Sequence, residues 1–186
     1  MSAAYQTSVV ESPEAHDKDG ANRLYSHFNR QRLDAESIRD SILFVAGDLD
    51  LKETGGPSKD FGPDNTRRTV YCKVSRFRLN NYLQVFDFPN PNSTSEQRLQ
   101  TTVPLQKLFF MNSPFVIAQS TALAARVAAN ASSDDQRITA TYRFVLQRDP
   151  TSEERRLARA FIGANSSGWA EYTQVLLSSN EFTYLD

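Results

Sequence analysis

From Thr102 to Leu176, apolar residues recur at three- and four-residue intervals in five stretches separated by helix start and stop signals, and this punctuation limits the chain to a largely helical fold. Thr102 stands as an N-cap ahead of Pro104, and Leu105, Leu108 and Phe109 form one stripe until Asn112-Ser113-Pro114 breaks it. A second helix is expected from about Pro114 to Asn130, its alanines at 118, 122, 125 and 129 offering a small-residue face for close packing. Ser133 with Gln136 makes a capping box before Ile138, Tyr142, Val145 and Leu146, and Thr151 with Glu154 makes another before Leu157, Ala158, Phe161 and Ile162. These two helices form a hairpin across Gln147 to Pro150. A last helix around Trp169, Tyr172, Val175 and Leu176 leaves the segment from Ser178 to Asp186 as a tail that docks through Phe182 and Leu185.

The N-terminal half is less regular. Residues 1–20 are acidic and nearly free of large apolar groups, so they read as a mobile arm; residues 21–186 read as one helical domain. Asp34 caps a helix carrying Ile38, Ile42, Val45 and Leu49 that ends near Gly47. Glycines and prolines make Asp50 to Thr66 a long loop, and Asp87 to Thr101 is a second. Between them, residues 69–77 fit both a strand and a helical face, and their context favours helix. The expected fold is therefore mainly α, an irregular multi-helix assembly with two long loops and one short strand pair at most.

Composition excludes several function classes. The 186 residues carry 21 basic and 22 acidic side chains, a net charge of -1, which gives no electrostatic excess for a nucleic-acid partner. Cys72 is the single cysteine, so neither an intrachain disulfide nor a cysteine zinc cage nor a Cys-x-x-Cys-His haem site can form. No apolar run approaches the ~20 residues of a membrane span, and Met1 to Ser12 does not have the pattern of a signal peptide. His16 and His27 are the only histidines, without metal-ligand spacing, and no phosphate-cradling glycine motif or serine elbow is present; no metal and no cofactor is expected.

Two constellations remain. Asp87 and Glu96 are candidate acid and base if a cleft brings them together, against the simpler reading of two solvated or arginine-paired loop acids. Between Asn65 and Phe86, Arg67, Arg68, Lys73, Arg76 and Arg78 occur without a single acid, and Tyr71, Phe77 and Tyr82 add stacking faces, a composition suited to an anionic carbohydrate or an acidic partner. The alternative is internal pairing: a buried Arg67 or Arg98 would pin the long loops through their backbone carbonyls. Arg98, Thr102, Gln106 and Asn112 extend the candidate ligand-binding set, either as a pocket rim or as a network stitching loop to helix.

The words Arg32-Leu-Asp-Ala-Glu-Ser-Ile-Arg-Asp-Ser41, Gly55-Gly-Pro57, Arg67-Arg-Thr-Val-Tyr71, Phe86-Asp-Phe-Pro-Asn90, Thr101-Thr-Val-Pro-Leu-Gln106, Met111-Asn-Ser-Pro-Phe115 and Ser179-Asn-Glu-Phe182, in this order, resemble the planctomycete domain-of-unknown-function family fifteen fifty-three, the PSD one domain. The likeness runs from about Tyr5 to the last residue. It implies the C-terminal part of a larger family domain, in an exported multidomain bacterial protein that often carries a cytochrome-c-like domain, with neighbouring domains as partners and an extracytoplasmic or periplasmic setting. It implies no activity beyond an association with polysaccharide breakdown. Arg137 to Arg148 with Pro150-Thr151 also resembles a helical module of other secreted bacterial proteins, with Gln147 where glycine is usual. The expected function is a non-catalytic module that holds a neighbouring domain or an anionic carbohydrate. A carboxylate-dependent glycan-active component and a pure scaffold are the alternatives.

Overall fold

The structure, a computed structural model, describes residues 2–164 and 168–185. Among these it contains nine α-helices and one two-stranded antiparallel sheet. In chain order they are α1 (Pro13–Asp19), β1 (Gln31–Arg32), α2 (Ala35–Ala46), α3 (Asn81–Val85), α4 (Pro104–Asn112), α5 (Pro114–Asn130), α6 (Asp134–Leu146), α7 (Ser152–Ala164), α8 (Gly168–Leu177), α9 (Asn180–Thr183) and β2 (Tyr184–Leu185). The fold is mainly α with one short strand pair. Within residues 1–20, α1 is capped by Ser12 and buries none of its residues.

Helix α2 forms where the spacing places it. Asp34 accepts from Ser37 N at 2.8 Å, satisfying a free first-turn donor, and Gly47 closes the helix at φ +90°, a left-handed conformation that glycine adopts without a Cβ penalty. Ile38, Ile42 and Leu43 are fully buried. Helix α5 crosses the molecule and packs against α2, α4, α6 and α8. Its core face is Val116, Gln119, Ser120, Leu123 and Val127; Ala118, Ala125 and Ala129 face outward, so the alanine stripe is not the packing face. Val116, Leu123 and Val127 each bury more apolar area there than an alanine would.

The capping box at Ser133 and Gln136 is present, and Thr151 with Glu154 bonds reciprocally, Thr151 N to Glu154 Oε2 at 2.7 Å and Glu154 N to Thr151 Oγ1 at 3.2 Å. The tail docks through Phe182, which is buried, but Leu185 is exposed, and β2 pairs with β1 in the register Gln31 to Leu185 and Arg32 to Tyr184.

Three local expectations are corrected. Residues 69–77 are not a helix: Thr69–Tyr71 forms one 3₁₀ turn, after which a parallel bridge from Lys59 to Cys72 takes over the backbone bonds. Only Thr69 and Cys72 are buried there, while Val70, Val74 and Phe77 are exposed. Thr102 is not the N-cap of α4; Val103 holds that position, and the Thr102 hydroxyl meets Tyr184 OH at 3.0 Å. Of the stripe Leu105, Leu108 and Phe109, only Phe109 packs on the core. Helix α4 buries Gln106 and Phe110 and leaves Leu105 and Leu108 exposed, because Gln106 Nε2 donates to Val85 O and Thr101 O, both at 3.0 Å.

Candidate functional site

Arg39 organises the region between α2 and the first long loop. It follows Ile38 on the buried face of α2 and is 3% exposed, so its guanidinium must find acceptors inside the protein. Its Nη1 donates to Arg67 O at 2.9 Å and to Thr69 Oγ1 at 3.2 Å, and its Nη2 donates to Asn65 O. Asp40 completes the anchor, accepting from Thr69 N at 2.7 Å and Thr69 Oγ1 at 2.6 Å. Arg67 then turns the other way into the Glu53–Pro57 turn. Its Nε donates to Glu53 O at 3.2 Å, Nη1 to Pro57 O at 3.1 Å and Nη2 to Gly55 O, with the Tyr71 ring 4.9 Å away. The buried arginine thus pins a long loop by its carbonyls.

The other candidate residues are spread over several sites. Arg68 is exposed and pairs with Asp40 at 3.4 Å. Arg98 does not pin a loop carbonyl: it forms a bidentate pair with Glu36, at 2.7 and 2.8 Å, and stacks over Phe88. Arg76 is exposed, its carbonyl accepting from Asn92 Nδ2 at 2.7 Å. Gln106 is buried at the start of α4, and Asn112 is exposed at its end. Asp87, at φ +59°, accepts from Arg32 Nη2 at 2.6 Å, Thr101 N at 2.9 Å and Thr101 Oγ1 at 2.8 Å. Glu96 is exposed, and among the described residues no hydrogen bond or ion pair joins it to Asp87.

Beside Arg39 lies a recess of about 300 Å³ lined chiefly by Phe61, Tyr82, Val85, Phe109, Pro114 and Phe115. The Arg39 guanidinium forms part of its wall, 5.8 Å from the Phe61 ring and 5.3 Å from the Phe115 ring. Tyr82 is held by its hydroxyl, which donates to Ala35 O, and by ring contacts to Phe86 at 4.9 Å and Phe109 at 5.0 Å. Burial pushes its hydroxyl well above the usual tyrosine range, so it stays a neutral donor. A second recess of about 520 Å³ adjoins the first, sharing Phe61, Asn80 and Asn81, and carries Lys73, Arg78 and Asp60 on its wall. Lys73 lies 3.8 Å from Asp60 and is mostly exposed.

Sequence reasoning named Lys73, Arg78 and Tyr82 of these recesses but missed Phe61, Phe109 as a recess residue, Phe115 and Arg39, and Tyr71 lines neither recess. One signal for Arg39 was legible: it falls between Ala35, Ile38 and Ile42 on the apolar face of its helix, where a cation must be paired internally. Nothing in the spacing of Phe61 and Phe115 links them, because a loop and a helix start meet only in three dimensions.

An aromatic recess thus lies next to a polar one that carries Lys73, Arg78 and Asp60. Among the described residues there is no group of three or more His, Cys, Asp or Glu placed to hold a metal ion, and no single helix is long and apolar enough to cross a membrane. No curated protein and no solved structure matches the chain. The family model PSD1, described as a protein of unknown function (DUF1553), matches residues 1–162, so the Ser179-Asn-Glu-Phe182 word lies outside the match. With residues 1–162 of 186 so matched, the chain belongs to the PSD1 (DUF1553) family.

Proposed function

We propose that this chain is a non-catalytic docking module that seats an apolar side chain of a neighbouring domain in the aromatic recess, with an acidic residue of the same segment facing Lys73 and Arg78. The observation that carries this reading is the juxtaposition of the two recesses, one aromatic and one bearing Lys73 and Arg78 against a single Asp60, sharing Phe61, Asn80 and Asn81. Apolar burial supplies the affinity in such a site, and complementary charge sets the orientation. The surface beside it supports docking, since Leu105, Leu108, Met111 and Ile117 are all exposed on α4 and α5.

The anionic-carbohydrate reading draws less support, because Arg67 and Arg98 spend their donors on protein acceptors. A pure scaffold is favoured by the burial of Arg67 and Gln106, but it leaves the aromatic recess without a role. The proposed setting is a longer exported protein whose other domains supply the docking segment.

The test uses two capped hexapeptides, each with Leu-Phe at the centre, flanked by Asp-Glu in one and Lys-Arg in the other. In amide-resolved NMR titrations of the whole chain, the acidic peptide is expected to shift resonances around Phe61, Asn81 and Phe115, and the basic peptide is not. The double variant Lys73→Glu/Arg78→Glu is expected to reverse that preference. Equal binding of both peptides, or binding of neither, would overturn the reading. Saturable binding of a sulfated oligosaccharide at the same resonances, with neither peptide bound, would replace it with the carbohydrate alternative.

A further inference from the structure

Arg32 is buried on β1, its side chain 5% exposed, yet only part of its guanidinium is used. Nη2 donates to Asp87 Oδ2 at 2.6 Å, while Nε and Nη1 are buried without a hydrogen-bond partner among the described residues. A guanidinium presents five N–H donors, and leaving charged donors unmet inside a protein is strongly unfavourable. Asp87 has little left to give: its Oδ2 also accepts from Thr101 N, and its Oδ1 takes the Thr101 hydroxyl.

Arg32 borders a cavity of about 30 Å³ whose apolar wall is Phe86, Val103 and Phe110. Its polar wall includes Thr102, Lys107, Asn180 and Tyr184. Lys107 is exposed, and its ammonium donates to two neutral acceptors, Ser178 O and Asn180 Oδ1, each at 2.8 Å, with no carboxylate partner among the described residues. Among the described residues, the cavity lining holds two cationic residues, Arg32 and Lys107, and no carboxylate, Asp87 lying behind Arg32. The volume suits one particle of about the size of a water molecule or slightly larger.

We infer that this cavity is a binding site for one monovalent anion of chloride size, which accepts from the free donors of Arg32 and is balanced by the ammonium of Lys107. The anion ties β1, the start of α4 and the turn before α9 together, and so fastens the C-terminal tail. The inference does not depend on the docking reading, since the cavity shares no lining residue with the aromatic recess.

The whole chain is melted in sodium chloride and in sodium gluconate at matched ionic strength. Chloride is expected to raise the melting temperature saturably by about 2 °C more than gluconate does. The rise should be lost in Lys107→Gln, a variant chosen because it leaves the Arg32–Asp87 pair in place. Crystals soaked in bromide are expected to show one anomalous peak between Arg32 and the α4 start. An ordered water there in place of the halide, or equal melting in both salts, would overturn the inference. A bromide peak with no chloride-dependent stabilisation would mean an adventitious ion only and would overturn it as well.

Discussion

At position 67, Arg67→Met keeps much of the side-chain volume but removes the donors of three carbonyls, those of Glu53, Gly55 and Pro57. The expected loss is about 2–3 kcal/mol, because a buried hydrogen-bonded cation is replaced and a turn is released. The neighbouring Arg68→Met removes only an exposed ion pair with Asp40 and is expected to cost less than about 0.5 kcal/mol. Urea unfolding of both variants checks the contrast, and equal losses would refute the division between pinning and surface arginines. The sequence identified the cluster and the option of loop pinning, but not which arginine would do it. Arg67 and Arg98 both lie in or beside loops rich in free carbonyls, and only the path of the folded chain puts Glu36 in front of Arg98.

Among the elements, the helices of the C-terminal half were legible because local signals agree there: caps, period and breakers all mark the same boundaries for α5, α6 and α7. The faces of α4 and α5 were not, since a stripe of leucines or alanines shows which residues share a side and not whether that side meets protein. The start of α7 adds a pH dependence. Arg148 bonds Glu154 at 2.7 Å and Glu181 at 2.6 Å, joining this helix start to α9. Its hydrogen bond holds the Glu154 carboxyl down at about 2, against an ordinary 4.5. A depressed carboxyl stabilises the fold above the unfolded value, and that contribution is lost as pH falls from 4.5 toward about 2. Glu154→Gln is expected to melt lower than the parent at neutral pH, with the two melting curves converging across that acid window. A gap that stays constant with pH would assign the loss to the cap alone. Acid titration followed by circular dichroism distinguishes the two.

At the scale of the molecule, α5 is the element through which the others meet, so its core residues test whether the helices unfold together. Leu123 is fully buried in α5 and belongs to the same cluster as Ile38 of α2, Phe110 of α4, Ile138 of α6 and Leu177 of α8. Leu123→Ala should cost about 2–5 kcal/mol through lost transfer energy and the cavity left behind. In a chain of 186 residues this lowers the melting temperature by roughly 5–15 °C. The single tryptophan gives a local probe, because Trp169 packs edge-on to Tyr172 at 6.1 Å and lies under Arg137 at 5.7 Å, at the junction of α6 and α8. Far-ultraviolet circular dichroism reports on all the helices at once. If the shared core makes them one cooperative unit, fluorescence and circular dichroism will melt at the same temperature in the parent and shift by the same amount in Leu123→Ala. A fluorescence transition that separates from the helical one would instead place α6–α8 in a unit of their own, and the aromatic recess formed by α3, α4 and the start of α5 would then have to keep its shape without them.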